Sequence, residues 1–175
     1  NEDITLSKVH FQKSIIPLLR NGSADELFFI HNGSGTFKSN FGDLNLNPGD
    51  YLVIPRGVTY QINVIKQLEA LVLESFSAIE TPERYRNKFG QLLEHSPFSE
   101  RDIRTPKFNQ PVETGPTDVD VKLKNSIQKY QYGHHPFDLV GWDGYFFPFA
   151  FNIHDFMPIT GKIHQPPSVH QTFKG

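Results

Sequence analysis

Eight histidines are the side chains in this sequence best suited to binding a redox metal or moving a proton near neutral pH. Their spacing limits what they can do together. His134 and His135 are adjacent and precede Pro136, which biases His135 towards an extended conformation. Neighbours in an extended chain point to opposite sides, so the pair is expected to play separate, structural parts rather than share a metal. His154, in the run Phe151 to Phe156, falls opposite the large rings if that run alternates, and so faces solvent. His164 and His170 frame the Pro166-Pro167 bend. A stiff bend holding an imidazole at its mouth is one site architecture; a purely structural histidine fits the same spacing. Other chemistry is not signalled. Gly33-Ser34-Gly35 reads as a turn, because a nucleophile elbow needs strand-turn-helix context. No dinucleotide-binding or phosphate-binding glycine motif occurs. Asp118 and Asp120 fall in a stretch that looks like a solvated connector.

Composition narrows the field further. The 175 residues suffice for one domain with a substantial core, or for one domain and part of another. Aromatic residues make up 13%, with sixteen phenylalanines, so rings must build a core or an interface. A net charge of −2 with scattered lysines and arginines forms no basic face, so a nucleic-acid partner is not expected. The absence of cysteine excludes a disulfide framework, a thiolate metal site and a catalytic thiol, and fits a reducing cytoplasm. No run of about 18 apolar residues is present, so no membrane partner is expected. The start at Asn1 and the stop at Gly175, just after strand-like residues, suggest a polypeptide cut at both ends.

The elements that would position any site are organised around Glu26 to Ile62, four short apolar runs broken by turns. Leu27 to Ile30 reads as a buried strand, and Asn32-Gly33 as a tight hairpin. Thr36 to Phe41 and Leu44 to Leu46 flank a second hairpin at Gly42-Asp43. Pro48-Gly49-Asp50 turns the chain into Tyr51 to Ile54, and Pro55-Arg56-Gly57 turns it into Val58 to Val64. One or two strands precede this unit (Ile4 to Val9 and around Ile15 to Leu19), and Leu68 to Phe76 should close it. The fold class is therefore mainly all-β, an antiparallel barrel or sandwich with one or two short helices. One such helix is expected over Pro82 to Phe89, started by Thr81-Pro82-Glu83 and ended by Gly90. Arg101 to Asn125 reads as an extended connector, and Tyr130 onward as an aromatic-rich segment that must cover the barrel, join a second domain, or both.

The turn-strand-turn-strand pattern from Pro48 to Val64 resembles the second half of the cupin signature. Metal-binding cupins carry histidines and a carboxylate before the first turn and a further histidine after the second. Here the later position falls near Tyr60, and the earlier part offers only His31. The first barrel is thus expected to be metal-free and to serve packing and support.

Four stretches together resemble the homogentisate 1,2-dioxygenases, in their bacterial branch. They are Asp50 to Tyr60, Glu80 to Arg104, Pro136 to Phe156 and His164 to Phe173. The resemblance implies a cytoplasmic non-haem Fe(II) enzyme that opens the ring of homogentisate with O2 to give maleylacetoacetate, in tyrosine and phenylalanine breakdown. It also implies a homo-oligomer, a trimer or a dimer of trimers. Two histidines and one glutamate hold the family's iron, with HxxxxxE and a later histidine in the second cupin half. No such arrangement follows the matched segment here, so iron is expected in the full-length enzyme and not on this chain. The implied division is residues 1–80 as the metal-free barrel, 81–129 as short helix and connector, and 130–175 as strands opening the catalytic half. Within the last, His164 starts an H-x-x-P-S stretch and matches the family's acid/base or substrate-orienting histidine. The competing reading is a non-catalytic cupin-like binding or scaffold protein.

Overall fold

Residues 3–158 and 171–175 are described by the computed structural model of the chain. Among the described residues ten strands join one hydrogen-bonded sheet. In chain order they are β1 (Ile4–Phe11), β2 (Leu18–Asn21), β3 (Asp25–Ser39), β4 (Gly42–Leu46), β5 (Asp50–Ile54), β6 (Thr59–Ser75), β7 (Ile103–Arg104), β8 (Thr117–Leu123), β9 (Ser126–Tyr132) and β10 (Phe149–Asn152). The sheet order is β7-β10-β5-β3-β6-β2-β8-β9, with β1 on β6 and β4 on β3. All these pairings are antiparallel except β2 with β8.

Two long strands carry the architecture. The first part of β3 pairs with β5 and with the end of β6, and its second part pairs with β4 and with the start of β6. Phe28 and Ile30 from the first part and Phe37 from the second all enter the same core. A flat strand cannot do this. In β3 the inward residues are even-numbered as far as Ile30 and odd-numbered from Gly35. Three register shifts between Ile30 and Gly35 absorb the change of parity, so the strand bends without turning its second half inside out.

That bulge replaces the hairpin expected at Asn32-Gly33. Gly33 has φ +86°, the left-handed geometry expected of the dipeptide, but it serves a bend inside a strand. A Cβ on Gly33 would sit 2.0 Å from the Gln67 carbonyl oxygen, so only glycine lets β3 and β6 approach here. The two runs expected on either side of Lys66 are likewise one strand, β6. The hairpin at Gly42 is present: Ser39 pairs with Gly42 around a two-residue loop, and the Ser39 hydroxyl accepts the Phe41 amide. The antiparallel barrel-like expectation is met.

Two other elements differ from expectation. The helix expected over Pro82 to Phe89 is a single 3-10 turn, Glu83–Tyr85. An eight-residue helix is marginal without tertiary support. Here Tyr85 is drawn into a ring cluster with Phe98 and Phe151, while Arg86 becomes extended and bridges to Leu92. The stretch read as connector contains β7 and β8, and β8 forms a hairpin with β9. Asp118, Val119, Asp120, Val121 alternate as a strand does, with Val119 and Val121 packing on Leu18.

The main core gathers residues of β3, β4, β5, β6 and β10, so the aromatic-rich segment contributes directly to the barrel through Ala150, with Leu139 and Phe147 packed alongside. A second cluster of Tyr85, Phe98 and Phe151 is flanked by Tyr51, Phe156 and Phe173. Phe98 lies 4.8 Å from Phe151, and Phe173 makes an edge contact to Tyr51 at 5.7 Å. Burying a ring such as Phe151 contributes about 2–3 kcal/mol, so this cluster attaches residues 83–104 alongside the β7–β10 pairing.

Candidate functional site

Two polar arrangements interrupt this apolar interior. The first lies at the start of β3, where alternation sends Glu26 into the core rather than out of it. Glu26 is 7% exposed. The Tyr60 hydroxyl, from β6, donates to Glu26 Oε2 at 3.0 Å. Register places Glu74 directly across from Glu26. Glu74 in turn accepts Asn21 Nδ2 at 2.7 Å and both oxygens accept Lys122 Nζ, at 2.7 and 2.6 Å. Burial pushes the Glu26 carboxyl up to about 7 from an ordinary 4.5; the Tyr60 and Asn21 bonds oppose this, and Glu74 adds to it. The Tyr60 phenol is raised well above its usual value, by burial first and then by Glu26.

The second arrangement surrounds the Pro48-Gly49-Asp50 turn. Gly49, at φ +87°, lets its amide reach the Ile30 carbonyl at 2.8 Å and fixes the turn against β3. Asp50 is 1% exposed. Its carboxylate accepts the Asn47 amide at 2.7 Å and Asn152 Nδ2 at 2.8 Å, and Arg104 lies 2.5 Å away. One carboxylate thus ties the turn to β10 and β7. Asn152 also donates to the Pro48 carbonyl and accepts the His154 amide, so the run Phe149 to Asp155 is seated on the turn. A comparable anchor holds the next turn: Asp25 accepts the Arg56 backbone amide and Nε, and the Ile79 amide.

Among the described residues the histidines do not converge. His31 is exposed on the β3 bulge. His134 lies 3.2 Å from Asp138, while His135 Nδ1 accepts the Phe137 amide, so the adjacent pair has separate partners. Burial lowers the His135 pKa, and Asp138 opposes the shift. His154 is exposed as alternation suggested, although it sits in a 3-10 turn, Ile153–Asp155. His164 and His170 lie outside the described residues.

Tyr60, near which the sequence pattern placed the later position of the cupin signature, commits its hydroxyl to Glu26. Among the described residues no three His, Asp or Glu side chains come together in a way that could hold a metal ion. The described residues do not fit an iron centre, and no chemical step can be assigned to iron on them. Glu26 and its partners were not foreseen as a unit. A partial signal was available: Asp25 and Glu26 open an apolar run, and charged residues that continue a buried strand are drawn in with it, as both are here.

Comparison with known proteins bears on what this frame supports. The family described as homogentisate 1,2-dioxygenase N-terminal matches residues 5–153. The chain belongs to that family. In the homogentisate 1,2-dioxygenases of Bradyrhizobium diazoefficiens and Nitrobacter hamburgensis, 28% and 29% of residues are identical over 153 aligned positions, 85% of this chain and 33% of each relative. A Saccharolobus solfataricus protein named "Putative dioxygenase SSO1533" is 45% identical over 154 residues, 88% of this chain and 40% of the relative. The chain therefore spans a third to two fifths of the length of these relatives. The crystal structure of a cupin-2 domain containing protein from Shewanella frigidimarina aligns over 42% of this chain and 71% of its own at 19% identity, with a TM-score of 0.39. Among the described residues no helix is long and apolar enough to cross a membrane.

Proposed function

We propose that this chain is the supporting N-terminal portion of a non-haem Fe(II) dioxygenase that opens the ring of homogentisate with O2, the iron ligands being carried by further polypeptide of the kind its relatives possess. The observation that carries this reading is the Asp50 clamp, which seats Phe149 to Asp155 on the barrel. The family match ends at residue 153, inside that seated run. The chain's own residues would then fix where the polypeptide leaves the barrel, while the apolar interior holds that exit rigid. His164 is assigned the proton-handling or substrate-orienting part; residues 1–80 are assigned as the body of the barrel, 81–129, with β7 and β8, as the segment that joins it to the rest, and 130–175, which also adds β10 to the barrel, as the opening of the catalytic half. A trimer or dimer of trimers in the cytoplasm belongs to the same reading.

The test compares the 175-residue chain with a chain extended to the length of the relatives. Iron content by atomic absorption and oxygen uptake with homogentisate are measured on both. The extended chain should bind about one iron per subunit and consume O2, with His164→Asn lowering turnover while retaining iron. Stoichiometric iron and ring cleavage by the 175-residue chain would overturn the reading. Failure of both chains with folded barrels would favour a non-catalytic binding or scaffold protein.

A further inference from the structure

We propose that the polar knot joining β2, β3, β6 and β8 is a pH-sensitive latch: with Glu26 protonated it holds the β8–β9 hairpin on the barrel, and ionisation of Glu26 loosens that hairpin. The hairpin has a narrow attachment. Its sheet contact runs through β2, a four-residue strand that itself pairs with β6 at only Leu19–Tyr60 and Arg20–Thr59. The Lys122–Glu74 ion pair spans that weak strand and ties β8 directly to β6.

Charge balance at the knot depends on Glu26. Tyr60 from β6 bonds it directly and Glu74, also from β6, lies across from it, while Asn21 from β2 and Lys122 from β8 bond Glu74 and act on Glu26 beside it; its β5 neighbour is the apolar Ile54. Arg20 turns instead to Thr59 and Tyr132, and Asp25 to Arg56 and Ile79. One ammonium therefore serves two carboxyl groups. With Glu26 neutral the charges cancel; with Glu26 ionised an uncompensated negative charge lies almost out of contact with water.

Water has a route in. A cleft of about 660 Å3 lined by Asn21, Ser23, Ala24, Glu74, Lys122 and Lys124 opens on the solvent side of the knot. Parting Asn21 and Lys122 would hydrate the Glu26 anion, and the short β2 is the element able to yield. Linkage fixes the direction, because burial raises the Glu26 pKa in the closed form and an opened form returns it towards the ordinary value.

Amide hydrogen exchange of the full chain, corrected for the intrinsic pH dependence, tests this. Protection of β2, β8 and β9 relative to the β3·β6 ladder should fall by about thirtyfold between pH 5.5 and 8.5, the ratio expected for a shift from about 4.5 in the open form to about 7 in the closed form. Glu26→Gln should flatten this profile. Tyr60→Phe, which removes a bond favouring the anion, should move the midpoint to higher pH. Protection independent of pH, an equal fall in Glu26→Gln, or an unmoved midpoint in Tyr60→Phe would each overturn the latch.

Discussion

Replacing Asp50 with alanine removes one buried carboxylate that three donors share: the Asn47 amide, Asn152 Nδ2 and the Arg104 guanidinium, of which the last two keep bonds to the Pro48 and Asn45 carbonyls. The cost follows from where each donor sits. Asp50 is 1% exposed, so the Asn47 and Asn152 donors lose a charged acceptor where water replaces it poorly, at about 1.5 kcal/mol each. The Arg104 side chain is 37% exposed and can be rehydrated in part, so its contribution is discounted to about 0.5–1 kcal/mol. The expected loss is about 3–4 kcal/mol, a large share of the ~5–15 kcal/mol typical of a domain. Asp50→Asn keeps an acceptor but not the charge, and should cost about half as much. Urea unfolding at pH 7 gives the totals. Exchange at Phe149 to Asn152 gives the location, since those amides should lose protection before the β3·β6 ladder does. A double-mutant cycle with Asn152→Ala should show coupling of about 1 kcal/mol or more. A loss below about 1 kcal/mol, or a loss spread evenly with no local signature at β10, would refute the claim that this carboxylate seats the exit segment.

Gly33→Ala should cost more than about 2 kcal/mol by thermal unfolding, because positive φ and a 2.0 Å approach to the Gln67 carbonyl act together. Gly57→Ala, with φ +84° and nothing within 4 Å of the added carbon, should cost only about 1 kcal/mol; equal losses would show that the close approach is unimportant. Glu26 predicts a pH dependence of global stability. Its pKa is raised from 4.5 to about 7, so its contribution is fully present below pH 4.5 and is lost as pH rises through 7. The loss at pH 8 should be about 3 kcal/mol in the parent chain and absent in Glu26→Gln, read from denaturant midpoints at each pH. Phe98→Ala should cost about 3–5 kcal/mol and loosen the 83–104 segment, which near-ultraviolet dichroism and limited proteolysis would register.

Much of the fold was legible because short-range chemistry decides it. Gly42, Gly49 and Gly57 all take positive φ at the turns where their dipeptides placed them. The alternation of Val119 and Val121 was as clear as any strand signal, but the surrounding prolines and charges masked it. The errors share a cause. Asn32-Gly33 favours positive φ whether the chain reverses or bulges, and what decides is the partner strand: β6 continues past Gln67, so β3 must continue as well. Tyr85 likewise had local helix signals around it, and a long-range ring contact to Phe98 prevailed.

The polar sites were harder to read because each is assembled across distant strands. Asp50 was visible as a turn residue, yet its partners Arg104 and Asn152 lie 54 and 102 positions away, and nothing in a local window links them. Glu26 and Glu74 face each other through strand register, which the β3 bulge shifts between the two halves of the strand. Without that bulge a one-residue slip would turn Glu26 outward, and the knot with Tyr60 and Lys122 would not form. The bend at Gly33 therefore bears, through strand register, on the burial of a carboxyl group seven residues earlier on β3. It follows that Gly33→Ala, where it folds at all, should lower the pH at which stability is lost, by bringing Glu26 nearer to water; an unchanged pH profile would separate the bend from the burial.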